Sequence, residues 1–152
     1  MAQGREAMPQ RPVREILSRP EPVTATPETT VRRAAELMTE HACGSVVVVD
    51  AAGRVVGIFT ERDLTRRVVA AGLDPDTTPL SAVMTPEPDT IAADAPVADA
   101  IRHMDECGYK HLPVLDGERL IGVVAPEDIP FAEIAQLADE LDSRHRLAER
   151  MW

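Results

Sequence analysis

The chain has 152 residues, 44% of them hydrophobic, and a formal net charge of −10. That length and apolar content can fill one compact core. So acidic a balance excludes general binding to nucleic acid or to an anionic membrane, both of which need a basic surface. An anionic ligand is compatible only with a pocket that supplies its own positive groups. Arginine provides almost all of the positive charge, and Lys110 is the only lysine.

In chain order, residues 1–11 carry Gly, Gln, Arg and Pro without periodicity and read as a flexible tail. Residues 13–18 suit a short helix, and 22–26 a short extended piece. Over 28–42, Val31, Ala34, Ala35, Leu37 and Met38 recur at helical spacing, with Gly44 as the stop. The unbroken valines at 46–49 predict a strand buried on both faces. Asp50 to Gly53 reads as a hairpin turn, 55–59 as the returning strand, and 61–71 as a helix stopped by Gly72. Residues 73–79 form a proline-bearing connector. The same order then returns: an extended piece at 90–92, a helix over 94–107 ended by Gly108, strands at 112–115 and 120–124, and a helix starting near Pro126. Residues 131–152 show an amphipathic stripe of Ile134, Leu137, Leu141, Ala148 and Trp152. This terminal helix would pack on its own domain or form a dimer contact.

The second half therefore duplicates the first. Pro20-Glu21-Pro22-Val23-Thr24 returns as Pro86-Glu87-Pro88-Asp89-Thr90, and Val31, Ala34, Met38, Val48 and Asp50 meet Val97, Ala100, Met104, Val114 and Asp116 at one constant offset. After a one-residue gap, Arg54, Gly57 and Asp63 meet Arg119, Gly122 and Asp128. Two β-α-β-β-α repeats, at 12–72 and 80–130, imply an α+β fold with a pseudo-two-fold axis and clefts where the copies meet.

Each repeat ends a Gly-apolar-apolar strand directly before a helix with an acid three residues in: Gly57 to Asp63, and Gly122 to Asp128. One reading is a capping box, with the Thr60 hydroxyl on a backbone N–H and the acid at the positive helix end. The other is an anion site, where orphan N–H groups and the Thr60 hydroxyl meet a phosphate and Asp63 accepts from ribose hydroxyls. The residues alone leave both open.

The repeat order, the Lys110-His111-Leu112-Pro113-Val114-Leu115-Asp116 strand and the Gly57-Ile58-Phe59-Thr60-Glu61-Arg62-Asp63-Leu64 ending resemble paired cystathionine-β-synthase (CBS) domains, the Bateman module, over 13–129. The resemblance implies adenosine nucleotides (AMP, ADP or ATP) bound between the copies, no required cofactor, and a homodimer that signals to a regulated partner protein. Residue by residue, it implies a first site of Thr60, Asp63, Gly44 and Ser45, with Thr90, Ile91 and Ala92 flanking the base. The second site would hold Asp128, Lys110 and His111, with Thr24 and Ala25 as the base-side wall. Ala125 replaces the hydroxyl residue there and Pro126 removes an N–H donor. The two sites are therefore expected to be unequal, the Thr60/Asp63 site being tighter.

The histidines at 41, 103, 111 and 145 show no His-x-x-x-His spacing and the cysteines no paired spacing, so no metal site is expected. Nucleophile, P-loop and Rossmann patterns are absent, and nothing assembles a catalytic constellation. A non-enzyme is expected. Cys43 and Cys107 read as reduced, buried or half-buried thiols, with a disulfide or metal pair as the alternative. Together with the polar, proline-rich start and the lack of a bilayer-length apolar run, they point to a cytoplasmic protein. Two further readings stand beside the nucleotide sensor: a ligand-free structural or interaction module, and a sensor of S-adenosylmethionine or NAD(H).

Overall fold

A computed structural model of the chain describes residues 11–19, 21–108 and 110–129. The tail at 1–10 and the amphipathic segment at 131–152 lie outside the described residues. A 3-10 turn, Val13–Ile16, comes first, followed by strand β1 (Thr24–Ala25), helix α1 (Val31–Glu40) and the hairpin β2 (Ser45–Val49) and β3 (Val55–Thr60). Helix α2 begins at Glu61–Asp63 and continues over Leu64–Val69 with the wider π-type hydrogen bonding. A short helix α3 (Leu80–Val83) and strand β4 (Thr85–Pro86) precede the second set. That set comprises β5 (Ile91–Ala92), α4 (Val97–Cys107), β6 (Leu112–Asp116), β7 (Arg119–Val124) and a 3-10 turn, Pro126–Asp128.

Both sheets follow one plan. β1 runs parallel to β2, which pairs antiparallel with β3; β5, β6 and β7 repeat this arrangement. Equivalent irregularities in register fall at Val48/Val49 and Val114/Leu115. The fold is α+β with tandem repeats, as the duplication predicts. β4 adds a fourth strand to the first sheet by pairing with β3, so residues assigned to the start of the second repeat join the sheet of the first.

The local grammar is readable. Thr30 caps α1, its hydroxyl accepting from Arg33 N at 3.2 Å. The Asp50 carboxylate accepts from Ala52 N and Arg54 N at 2.9 Å each and closes the hairpin. Gly108 ends α4 at φ 72°, the left-handed conformation glycine adopts without a Cβ penalty. The end of α1 departs from expectation: the turn is made by His41 and by Ala42 at φ 49°, and Gly44 has another duty described below.

Two hydrophobic cores form, one per sheet, and each recruits a segment from outside its own repeat. Leu80 and Val83, which follow the connector, are buried in the first core with Val31, Met38, Val48 and Phe59. Val13 and Ile16, which begin the chain's described part, are buried in the second core with Val97, Leu112, Val114 and Val124. Backbone hydrogen bonds fix the exchange: Leu80 N donates to Thr29 O at 2.8 Å, and Val13 N donates to Ala95 O at 2.9 Å. Isolated bridges Thr30–Pro79 and Pro12–Pro96 stand at matching places. Arg14 reinforces the second docking through Asp94 at 2.9 Å and Asp116 at 3.4 Å. The sequence repeats and the packed units are therefore offset, and the two halves hold one another.

Candidate functional site

Two clefts lie between the halves, each built around one of the duplicated acids. At the end of β3, the Thr60 hydroxyl accepts from Asp63 N at 3.2 Å, and Asp63 Oδ2 accepts from Thr60 N at 3.0 Å. This reciprocal capping box holds Asp63 nearly buried, 9% exposed, at the start of α2. Capping leaves chemistry to spare: the Thr60 O–H remains available to donate, and the carboxylate has further lone pairs. Arg67 Nε approaches Asp63 Oδ1 at 3.5 Å while its Nη1 donates to Val83 O at 3.1 Å. Capping and ligand recognition are thus compatible in the same two side chains.

The Thr60/Asp63 cleft has a volume of about 250 Å³. Its cations are Arg62, Arg67 and Lys110, against the acids Asp63 and Asp89. A protein of net charge −10 therefore presents a locally cationic pocket.

The second cleft is about 130 Å³ and is built around Asp128. Asp128 Oδ2 accepts from Ala125 N at 2.8 Å, repeating half of the capping box. The other half is missing, because Ala125 has no hydroxyl. Oδ1 is already taken by the Ser18 hydroxyl at 2.6 Å. Arg19 borders the cleft and donates from Nη2 to Ala42 O at 2.8 Å, and it faces Glu21, Glu127 and Asp128. The balance here is acidic.

The structure distributes the sequence-derived site residues differently from expectation. Gly44 and Ser45 border the Asp128 cleft instead of joining Thr60 and Asp63. Lys110 borders the Thr60/Asp63 cleft instead of the second one, and His111 touches both. The segment before each core strand reaches across to the acid of the other repeat, because the two hairpins meet about the pseudo-axis. Thr90, Ile91 and Ala92 do not line the first cleft; Pro88 and Asp89, just upstream, do. Likewise Pro22 and Val23 line the second cleft in place of Thr24 and Ala25. Thr24 and Ala25 pair into β1, and Ile91 and Ala92 into β5, which turns them into the sheets; Thr90 immediately precedes β5.

Gly44 has a steric reason to be glycine. A Cβ at this position would lie 3.1 Å from His111 Nε2, tighter than ordinary contact. Burial lowers the His111 pKa below its ordinary value, and the carboxylates of Glu127, Glu61 and Asp128 offset this only in part. The imidazole is therefore neutral at pH 7 and contributes no fixed charge to either cleft. Ser18, Arg19 and Arg62 were not singled out from the sequence. Ser18 aligns with Thr85, which lines the other cleft, once Arg19 is treated as an insertion; that alignment was the available signal.

The cysteines are free; Cys43 is half-buried and Cys107 exposed, a correction to the expectation that both are at least half-buried. Cys107 sits at the final position of α4, beyond the face that enters the core. No helix among the described residues is long and apolar enough to cross a membrane.

Paired sheets, exchanged helical segments and two inter-repeat clefts match one profile twice: the CBS domain, over residues 13–70 and 80–132. The chain belongs to the CBS domain family. It is 34% identical to the uncharacterized protein MK0525 of Methanopyrus kandleri across 82% of this chain, and the match spans 66% of that protein's length. CBS domain protein PAE2072 from Pyrobaculum aerophilum, solved in complex with AMP, superposes with a TM-score of 0.76 at 28% identity. That match covers 84% of this CBS chain and 98% of the other. The CBS domain pair of protein MJ0100, in complex with 5′-methylthioadenosine and S-adenosyl-L-methionine, gives a TM-score of 0.69 at 29% identity. It covers 77% of this chain and 94% of that one.

Proposed function

We propose that this CBS pair is a non-catalytic sensor that binds an adenosine nucleotide of the AMP, ADP or ATP class in the Thr60/Asp63 cleft. The observation that carries the reading is the cleft's composition. A nearly buried carboxylate suited to ribose hydroxyls stands beside a hydroxyl donor, with Arg62, Arg67 and Lys110 around them for phosphate. PAE2072 with AMP and the MJ0100 pair with S-adenosyl-L-methionine place adenosine compounds within the family's range. The Asp128 cleft is the weaker site, since it is acidic and Ser18 already occupies Asp128 Oδ1. A ligand spanning both halves favours one relative arrangement of them, which a homodimer partner or a regulated protein in the cytoplasm reads.

Thermal shift with AMP, ADP, ATP, S-adenosylmethionine and NADH tests the reading. Stabilisation by an adenine nucleotide, lost in Lys110→Gln, supports it. The choice of Lys110→Gln matters because Asp63 also caps a helix, whereas Lys110 is exposed. A shift with S-adenosylmethionine or NADH alone keeps the cleft and changes the ligand. No shift with any of them leaves the completed capping box as the full role of Thr60 and Asp63, and the protein as an interaction module.

A further inference from the structure

Asp89, His103 and Cys107 converge outside the Thr60/Asp63 pair. His103 and Cys107 are one helical turn apart on α4 and so share a face. Asp89 approaches them from the segment between β4 and β5. One ligand atom of each, a carboxylate oxygen, an imidazole nitrogen and the thiol sulfur, all lie within 4.8 Å of one another. His103 Nε2 and Asp89 Oδ2 are 3.2 Å apart.

The donor set is chemically selective. Magnesium and calcium take oxygen ligands, whereas mixed thiolate, imidazole and carboxylate donors suit a borderline d-block ion, zinc above all. Tetrahedral bonds of about 2.0–2.3 Å hold ligand atoms about 3.3–3.8 Å apart. The Asp89–His103 spacing already approaches that range. The thiol belongs to an exposed side chain at a helix end, so packing does not fix its rotamer.

We propose that Asp89, His103 and Cys107 form a binding site for a divalent d-block cation of the zinc class, with water as the fourth ligand. Asp89 and Cys107 also line the Thr60/Asp63 cleft. The ion sits at the rim of that cleft and adds positive charge on the side where Asp89 otherwise contributes a negative one. The site itself does not depend on the nucleotide reading.

Cobalt(II) titrated into the full chain under reducing conditions, without nucleotide, is the direct test. One equivalent should bind with a thiolate-to-cobalt absorption band in the near ultraviolet, and zinc(II) should displace it. Cys107→Ser should abolish the band, and Cys43→Ser should leave it unchanged. Asp89→Asn and His103→Gln should each weaken binding about tenfold or more. All variants should retain the wild-type circular dichroism spectrum. Absence of the band in the wild type overturns the proposal, as does a band that survives in Cys107→Ser.

Discussion

At the scale of single residues, Thr60, Asp63 and His111 combine structural and chemical roles. Thr60→Ala removes the hydroxyl that accepts from Asp63 N, and should cost about 1 kcal/mol of stability in denaturant unfolding. Asp63→Asn keeps an oxygen for Thr60 N and should leave stability closer to wild type while removing the charge that faces Arg67. His111 carries a sign that pH can read. Its folded-state pKa lies below 6.5, so the unfolded chain takes up the proton first as the pH falls. The stability this residue contributes is present above 6.5 and is lost as the pH falls through that value toward the lower folded pKa. His111→Gln should flatten the dependence of the melting temperature on pH in that window; an unchanged slope would show that His111 does not set it. Gly44→Ala presses a methyl group on the same imidazole, and should weaken ligand binding more than it lowers the melting temperature.

At the scale of elements, the exchange of helical segments explains why neither repeat is self-sufficient. Leu80 lies outside the first sequence repeat yet is fully buried in its core. Leu80→Ala should therefore destabilise the protein by about 2–5 kcal/mol, although it lies beside a connector. A loss below 1 kcal/mol, measured by chemical denaturation and roughly what a surface position would show, would contradict the exchanged packing. The periodic elements were legible because α1, α4 and the two hairpins bury faces whose spacing the sequence displays. Which repeat receives Val13 or Leu80 was not legible, because a hydrophobic period reports that a face is buried and not what covers it. The same limit moved Gly44 and Lys110 to opposite clefts. Strands β1 and β5 are two residues long, so a displacement of one or two positions was enough to turn Thr24, Ala25, Ile91 and Ala92 into the sheets. The His103–Cys107 pair was present in the sequence at helical spacing, but its third member, Asp89, is brought in only by the fold.

At the scale of the whole molecule, duplication gives two clefts and divergence makes them unequal. The acids Asp63 and Asp128 are equivalent in backbone geometry, each accepting from the N–H three residues earlier. Around them the halves differ. Thr60 is replaced by Ala125, a cationic rim by an acidic one, and a carboxylate oxygen that faces Arg67 by one bonded to Ser18. Ser18→Ala should free Asp128 Oδ1 and strengthen any binding at the weaker cleft without altering the stronger one. The proposed function makes the Thr60/Asp63 cleft the principal nucleotide site. Isothermal titration of AMP and ATP into the wild type and Asp63→Asn distinguishes this cleft from the other. The expected result is one strong site per chain, lost in Asp63→Asn, with any second site clearly weaker; two equivalent strong sites, or unchanged binding in Asp63→Asn, would overturn the assignment.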